Sequence, residues 1–83
     1  MRAPYLAFVH VEVPGSKTAC LRVESLSQRA ILGYVKWFGR WRQYCFFPIG
    51  ETVWSDGCLE EIQHRIRALM EARRMARAAR RGR

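Results

Sequence analysis

The run Tyr5 to Val13 is rich in aromatic and β-branched residues, and Pro14-Gly15-Ser16-Lys17 follows it with turn chemistry. A first hairpin is expected there. Its return strand, about Thr18 to Leu26, places Ala19, Leu21 and Val23 on one face and Cys20, Arg22 and Glu24 on the other. Ser25 to Arg29 reads as a polar link. A third strand, near Ala30 to Phe38, turns through Gly39-Arg40 into a fourth, Trp41 to Phe47, which Pro48 ends because proline donates nothing to a ladder. With a two-residue loop, Phe38 faces Trp41, Trp37 faces Arg42, Val35 faces Tyr44 and Gly33 faces Phe46. One face then carries Leu32, Tyr34, Lys36, Phe38, Trp41, Gln43, Cys45 and Phe47. The other carries Ile31, Gly33, Val35, Trp37, Arg42, Tyr44 and Phe46. The second is the core candidate, with Gly33 leaving room for a helix to approach.

Thr52-Val53-Trp54 has the composition of a brief fifth strand, and Ser55 or Asp56 is suited to cap a helix that follows. Leu59, Ile62, Ile66, Leu69 and Met70 recur at three- and four-residue spacing, a stripe that covers one face of a sheet. Beyond Met70 the chain keeps strong helix propensity but has little apolar surface to bury, so fraying is expected past about Arg77. The pattern as a whole predicts an α+β fold: an antiparallel meander of four or five strands with one C-terminal helix on a single face. It divides into a small α+β domain over residues 1–71 and an arginine-rich helical extension or frayed tail over residues 72–83.

Charge sharpens that division. The chain has 83 residues and a formal net charge of +8. Residues 1–71 hold nine Lys or Arg against seven Asp or Glu, a net +2, whereas residues 72–83 hold six Arg and no acid, a net +6. Basicity of this kind attracts polyanions through the tail and not through the mean field of the body. Arg73, Arg74, Arg77, Arg80 and Arg81 are therefore the candidate nucleic-acid contacts. Taken with Arg83 they read as spread around much of the helix, an arrangement suited to phosphate contact more than to base reading.

Between Lys36 and Pro48 six aromatics and three cations occupy thirteen positions. Tyr34, Lys36, Phe38, Trp41 and Arg42 form the candidate partner-binding face, since aromatics on a sheet stack bases while cations track phosphates. The competing reading makes these rings core, with Arg42 lying over Trp37 as a cation-π pair. A face left uncovered also suits a homodimer.

Chemistry beyond binding finds little support. Cys20, Cys45 and Cys58 have no paired short spacing, so no four-ligand metal site is expected, and buried reduced thiols are the plainer reading. Cys58 and His64 lie six residues apart, which on a helix turns them to different faces. Glu60 and Glu61 suit the helix macrodipole without acid-base work. An enzyme is not expected, nor a cofactor. The longest apolar runs are a few residues against the roughly 20 of a membrane span, and no apolar leader stretch opens the chain, so a cytoplasmic location and no membrane partner are expected.

Leu32-Gly33-Tyr34-Val35-Lys36-Trp37-Phe38, then Trp41-Arg42-Gln43-Tyr44-Cys45-Phe46-Phe47-Pro48, then Cys58-Leu59-Glu60-Glu61-Ile62, resembles a pattern of small phage and prophage proteins. It can be written LGxIKWxxxWRQYxFxP, a spacer, then CLxxI, and it covers roughly residues 31–70. The resemblance transfers no activity. It implies a phage accessory protein in the bacterial host cytoplasm, a setting in which nucleic acid and host defence complexes are the usual targets. The leading expectation is a non-enzymatic module that contacts nucleic acid mainly through its arginine-rich C-terminus. The alternatives are a protein inhibitor of a host defence or nucleic-acid-handling complex, in the manner of anti-CRISPR proteins, and a small homodimeric structural protein.

Overall fold

A computed structural model of the chain describes residues 4–81. Four strands, β1 (Leu6–His10), β2 (Cys20–Ser25), β3 (Ile31–Phe38) and β4 (Gln43–Pro48), precede one helix, α1 (Asp56–Arg81). The strands form one antiparallel sheet in the order β1-β2-β3-β4, which is the expected meander. One face of the sheet carries the core. Leu6, Leu21, Val23, Val35 and Tyr44 are buried there beneath Ile62 of α1, with Phe8, Trp37, Phe46 and Trp54 packed around them.

The first hairpin is shorter than the hydrophobic run suggests. Ser16 N–H donates to the carbonyl of Val13 at 3.0 Å, and Gly15 has φ 79°, the left-handed second position of a type II turn. Type II geometry splays flanking strands, so pairing stops near Val11, whose N–H still bonds Cys20 O at 2.8 Å.

The second hairpin differs from expectation in its loop. Phe38 pairs with Gln43, Trp37 with Tyr44, Val35 with Phe46 and Gly33 with Pro48, so the turn has four residues and the register is displaced by two. Gly39, Arg40, Trp41 and Arg42 form that turn, closed by bonds from Trp41 N–H to Phe38 O and from Arg42 N–H to Gly39 O, both 3.2 Å. Only Arg42 takes a positive φ, at 56°. A two-residue type I′ loop would have forced that conformation on both central residues, including Arg40. A displacement of two preserves the side of every paired residue, so the predicted core face holds. Trp41 and Arg42 leave the ladder for the turn.

Two positions do exchange sides. The β2–β3 register shifts between Val23 and Glu24, which pair with Gly33 and Ile31, so Leu32 is the extra residue of a β-bulge. Leu32 consequently packs against the core while Ile31 is exposed, the reverse of their predicted placement. Nor does a helix lie over Gly33. A Cβ there would meet the Phe47 carbonyl and approach two Phe46 ring carbons at 2.8 Å.

No fifth strand forms at residues 52–54 among the described residues. The outer edge of β4 is occupied instead: Tyr44 N–H donates to Met70 Sδ at 3.3 Å, and Pro48 has no N–H to offer. Trp54 turns inward and meets Phe46 edge-on at 4.8 Å, leaving Val53 98% exposed. Ser55 is the N-cap of α1, its Oγ accepting from Cys58 N–H at 3.2 Å. Glu61 does more than oppose the helix dipole, because its carboxylate accepts the N–H groups of Tyr5 at 2.8 Å and Leu6 at 3.1 Å. The helix therefore meets β1 at Glu61 and β4 at Met70. Those nine steps advance about 13 Å, close to the roughly 14 Å between the outer strands of a four-stranded sheet. Past Met70 the helix leaves the sheet behind and continues to Arg81.

Candidate nucleic-acid interface

Where the helix passes the sheet edge, its inward stripe changes chemistry without changing direction. Measured from Arg73 at about 100° per residue, Ile62, Ile66, Leu69 and Met70 lie within about 60° of it, the phase that packs on the sheet. Arg74, Arg77 and Arg80 continue on that side, and together with Arg73 they occupy an arc of about 120°. The expected spread around the helix is thus corrected for the described side chains: they form one stripe. The backbone of Arg81 belongs to α1, but its side chain lies outside the described residues, as does Arg83.

The stripe faces a groove of about 1430 Å³ between α1 and the end of the β3–β4 hairpin. Arg67, Arg73, Arg74 and Arg77 line it from the helix, and Arg42 lines it from the turn. Arg80 is exposed one turn further along. Leu59, Ile66 and Met70 supply an apolar floor near its inner end. Glu71 is the one acid in the lining, and it is already engaged by Arg74 at 2.5 Å. That hydrogen bond, reinforced by the charge of the guanidinium, holds the Glu71 carboxyl below the usual carboxylate range and raises Arg74 correspondingly. Both groups are exposed, so the pair fixes a local geometry and adds little stability.

Arg73 marks the transition from core to surface. Its guanidinium stacks over the Trp37 ring at 4.1 Å, and Trp37 in turn meets Tyr44 edge-on at 5.3 Å. The competing core reading placed Arg42 over Trp37; the cation found there is Arg73. The reason is the four-residue turn, which removes Arg42 from the position opposite Trp37. An arginine so placed keeps its charge available at the groove while its stem covers apolar surface.

The five residues of the predicted partner face are divided. Tyr34, Lys36 and Phe38 do stand together on the sheet face that α1 leaves uncovered, joined by Phe47. Lys36 Nζ lies 4.6 Å from the Phe47 ring centre, and Phe38 meets both Trp41 and Phe47 edge-on, at 5.0 and 5.9 Å. Trp41 reaches this cluster from the turn and remains 64% exposed. Arg42 belongs to the opposite side, in the groove. Tyr34, Phe38 and Phe47 are half-buried against their neighbours, which leaves Trp41 and Lys36 as the prominent groups of that face.

Sequence reading omitted Arg67 from the cationic set. Its signal was the seven-residue spacing to Arg74, two helical turns on one side. The three cysteines are free and half-buried instead of fully buried. Cys20 and Cys45 share the uncovered face, each opposite Lys36 in the ladder, while Cys58 sits in the first turn of α1. Among the described residues no group of three or more His, Cys, Asp or Glu is placed to hold a metal ion. No described helix is long and apolar enough to cross a membrane.

A protein of Acholeplasma phage L2, described as an uncharacterized 9.3 kDa protein, is 41% identical to this chain over 70 residues. The match covers 84% of the chain and 90% of the relative, so it spans most of the sheet-and-helix unit and is no local motif. The chain belongs to a family of small phage proteins. No protein-family model and no solved structure matches it. Membership of this phage family supplies the setting in which the arginine groove is to be read.

Proposed function

We propose that this phage protein is a non-enzymatic accessory module of the bacterial host cytoplasm that binds nucleic acid along the C-terminal half of α1. The observation that carries this reading is the convergence of Arg42, Arg67, Arg73, Arg74 and Arg77 on one groove whose single acid is already paired. Guanidinium groups on a shared concave wall suit a phosphate backbone, since each makes bidentate bonds to phosphate oxygens. The small-residue side of the overhang, Ala72, Ala76 and Ala79, carries no base-reading side chain, so contact is expected to be largely indifferent to sequence.

Fluorescence anisotropy with labelled DNA and RNA oligonucleotides tests this. Neutralising about five phosphates gives a slope of log affinity against log salt near −4. The full-length Arg73→Gln/Arg77→Gln/Arg80→Gln variant should lose about half of that slope together with most of the affinity. Undiminished binding by this variant at moderate salt would place the site elsewhere.

A second reading, a protein inhibitor of a host defence or nucleic-acid-handling complex, draws on Trp41, exposed against Phe38 at the edge of the uncovered sheet face. An exposed tryptophan is a common anchor at protein interfaces. Binding of that kind would survive the triple arginine substitution and fail with Trp41→Ala.

A further inference from the structure

Phosphate binding in the groove leaves the tip of the β3–β4 hairpin unexplained. The four-residue turn sends two neighbouring side chains to opposite sides: Arg42 lines the groove, whereas Trp41 stands against Phe38 at the edge of the uncovered sheet face. Trp41 is 64% exposed, and the arginines on either side of it in the chain, Arg40 and Arg42, are exposed as well. Its aromatic neighbour is Phe38, with ring centres 5.0 Å apart and planes at 88°. An edge-on pair of this kind occupies at most one face of the indole, so a face remains open. Phe38 is itself braced edge-on by Phe47 at 5.9 Å, so the indole stands against a supported ring.

We infer that Trp41 is a stacking platform for an unpaired base, and that the ligand of the groove is single-stranded nucleic acid. The inference rests on the nucleic-acid reading of the arginine groove and adds to it the strand state of the ligand. Charge favours this occupant for the exposed ring, because a guanidinium on each side of an indole suits a partner that carries anions. Trp41 and Arg42 are joined by a trans peptide, which sets their Cα atoms about 3.8 Å apart. A phosphate held by Arg42 and a base held by Trp41 therefore belong to one nucleotide or to adjacent ones. Two such contacts require a base whose face is free. Within a duplex each base is covered on both faces by its stacked neighbours and offers the grooves only its edges. A single strand offers backbone and base face together. Every base has a π-face, so the contact tolerates any sequence, in keeping with a groove that carries no base-reading side chain.

Fluorescence anisotropy of the full chain with a labelled oligothymidylate and with a long mixed-sequence duplex tests the inference. The unaltered protein should prefer the single strand. Trp41→Leu should weaken single-strand binding by about 5- to 150-fold, the range expected for one base stacked on an aromatic ring. Its affinity for the duplex and its salt slope should stay the same, since no ion pair is removed. Unchanged duplex binding also reports that the variant is folded, as expected for a substitution in an exposed turn. Trp41→Phe, which keeps an aromatic face, should retain most of the single-strand affinity. Single-strand binding by Trp41→Leu equal to that of the unaltered protein overturns the inference, as does a preference of the unaltered protein for the duplex. The triple arginine variant in the same assay separates the two readings: if it loses affinity while Trp41→Leu does not, the groove binds phosphate and only the stacking platform is wrong. If the triple variant binds undiminished, the groove reading fails and the inference falls with it.

Discussion

Replacing Gly33 with alanine tests the account of the sheet most directly, because two effects of opposite sign compete there. An alanine restricts the unfolded chain and on that ground stabilises by about 0.4–1 kcal/mol where the native backbone accepts it. At this position the added methyl meets the Phe47 carbonyl oxygen and comes within 2.8 Å of two Phe46 ring carbons. The ring can rotate or shift. The carbonyl belongs to the β4 backbone and is held by the β3–β4 ladder, which continues to the bond from Ile49 N–H to Leu32 O at 3.0 Å. Overpacking of this kind costs about 1–3 kcal/mol. The clash outweighs the entropic gain, and Gly33→Ala should destabilise by about 1–2 kcal/mol net. For a domain of this size that is a fall in Tm of about 5–15 °C, read by far-ultraviolet circular dichroism and by urea titration. Adding Phe46→Leu should restore little, because the carbonyl remains in the way. An unchanged or raised Tm would mean that β3 and β4 are not joined in the register described.

Three further substitutions probe the links between helix and sheet. Glu61→Gln leaves one oxygen facing two N–H donors, those of Tyr5 and Leu6, and should cost about 1–2 kcal/mol, with faster hydrogen exchange at Leu6; unchanged exchange there would remove the proposed tie. Tyr44→Phe deprives the Ala19 N–H of the hydroxyl that accepts it at 3.1 Å, and chemical denaturation should show a loss of about 1–2 kcal/mol. Glu71→Gln should leave the melting curve in place and raise affinity for oligonucleotides severalfold by removing the groove's acid. The lowered Glu71 pKa means that any stabilisation from its pair is present above the unfolded carboxyl value of 4.5 and lost as pH falls through the lower folded value; exposure of both partners predicts no measurable step in that acid window.

The fold was legible to the extent that alternation and helical spacing report burial. Leu21, Val23, Val35 and Tyr44 announced one face and Ile62 with Ile66 announced its cover, because these patterns depend on which side a residue faces and not on how far it is displaced. Turn length is a different kind of information. Gly39-Arg40 is compatible with a two-residue loop, and the choice of four turns on which residue must take a positive φ, a local conformational cost that leaves no trace in hydrophobic periodicity. The bulge at Leu32 is silent for the same reason, since Ile31 and Leu32 are equally apolar and either suits the core. Glu61 looked like an ordinary first-turn acid because its partners are backbone groups, to which a side-chain motif is blind. As for the site, the positions of the arginines were in plain view, but their common direction emerges only when the described residues are separated from Arg83.

That common direction bears on what the arginines are for. A charged end whose task is solubility has no reason to prefer one phase of the helix, and the most favourable hydration comes from pointing away from the protein. Arg73, Arg74, Arg77 and Arg80 instead continue the side on which Ile62, Ile66, Leu69 and Met70 pack on the sheet. Placing like charges together on that arc raises their mutual repulsion, a cost that an opposing anion removes. Arg73 adds a constraint, since stacking on Trp37 fixes one guanidinium at the groove before any ligand arrives and reduces the side-chain entropy lost on binding. The geometry therefore separates two kinds of arginine within one stripe: Arg73 is held in place by the core, whereas Arg77 and Arg80 extend beyond it and adapt. A phosphate backbone of variable sequence is well served by that combination, and Trp37→Leu should expose the difference by weakening oligonucleotide binding through Arg73 while leaving the salt slope, a count of ion pairs, nearly unchanged.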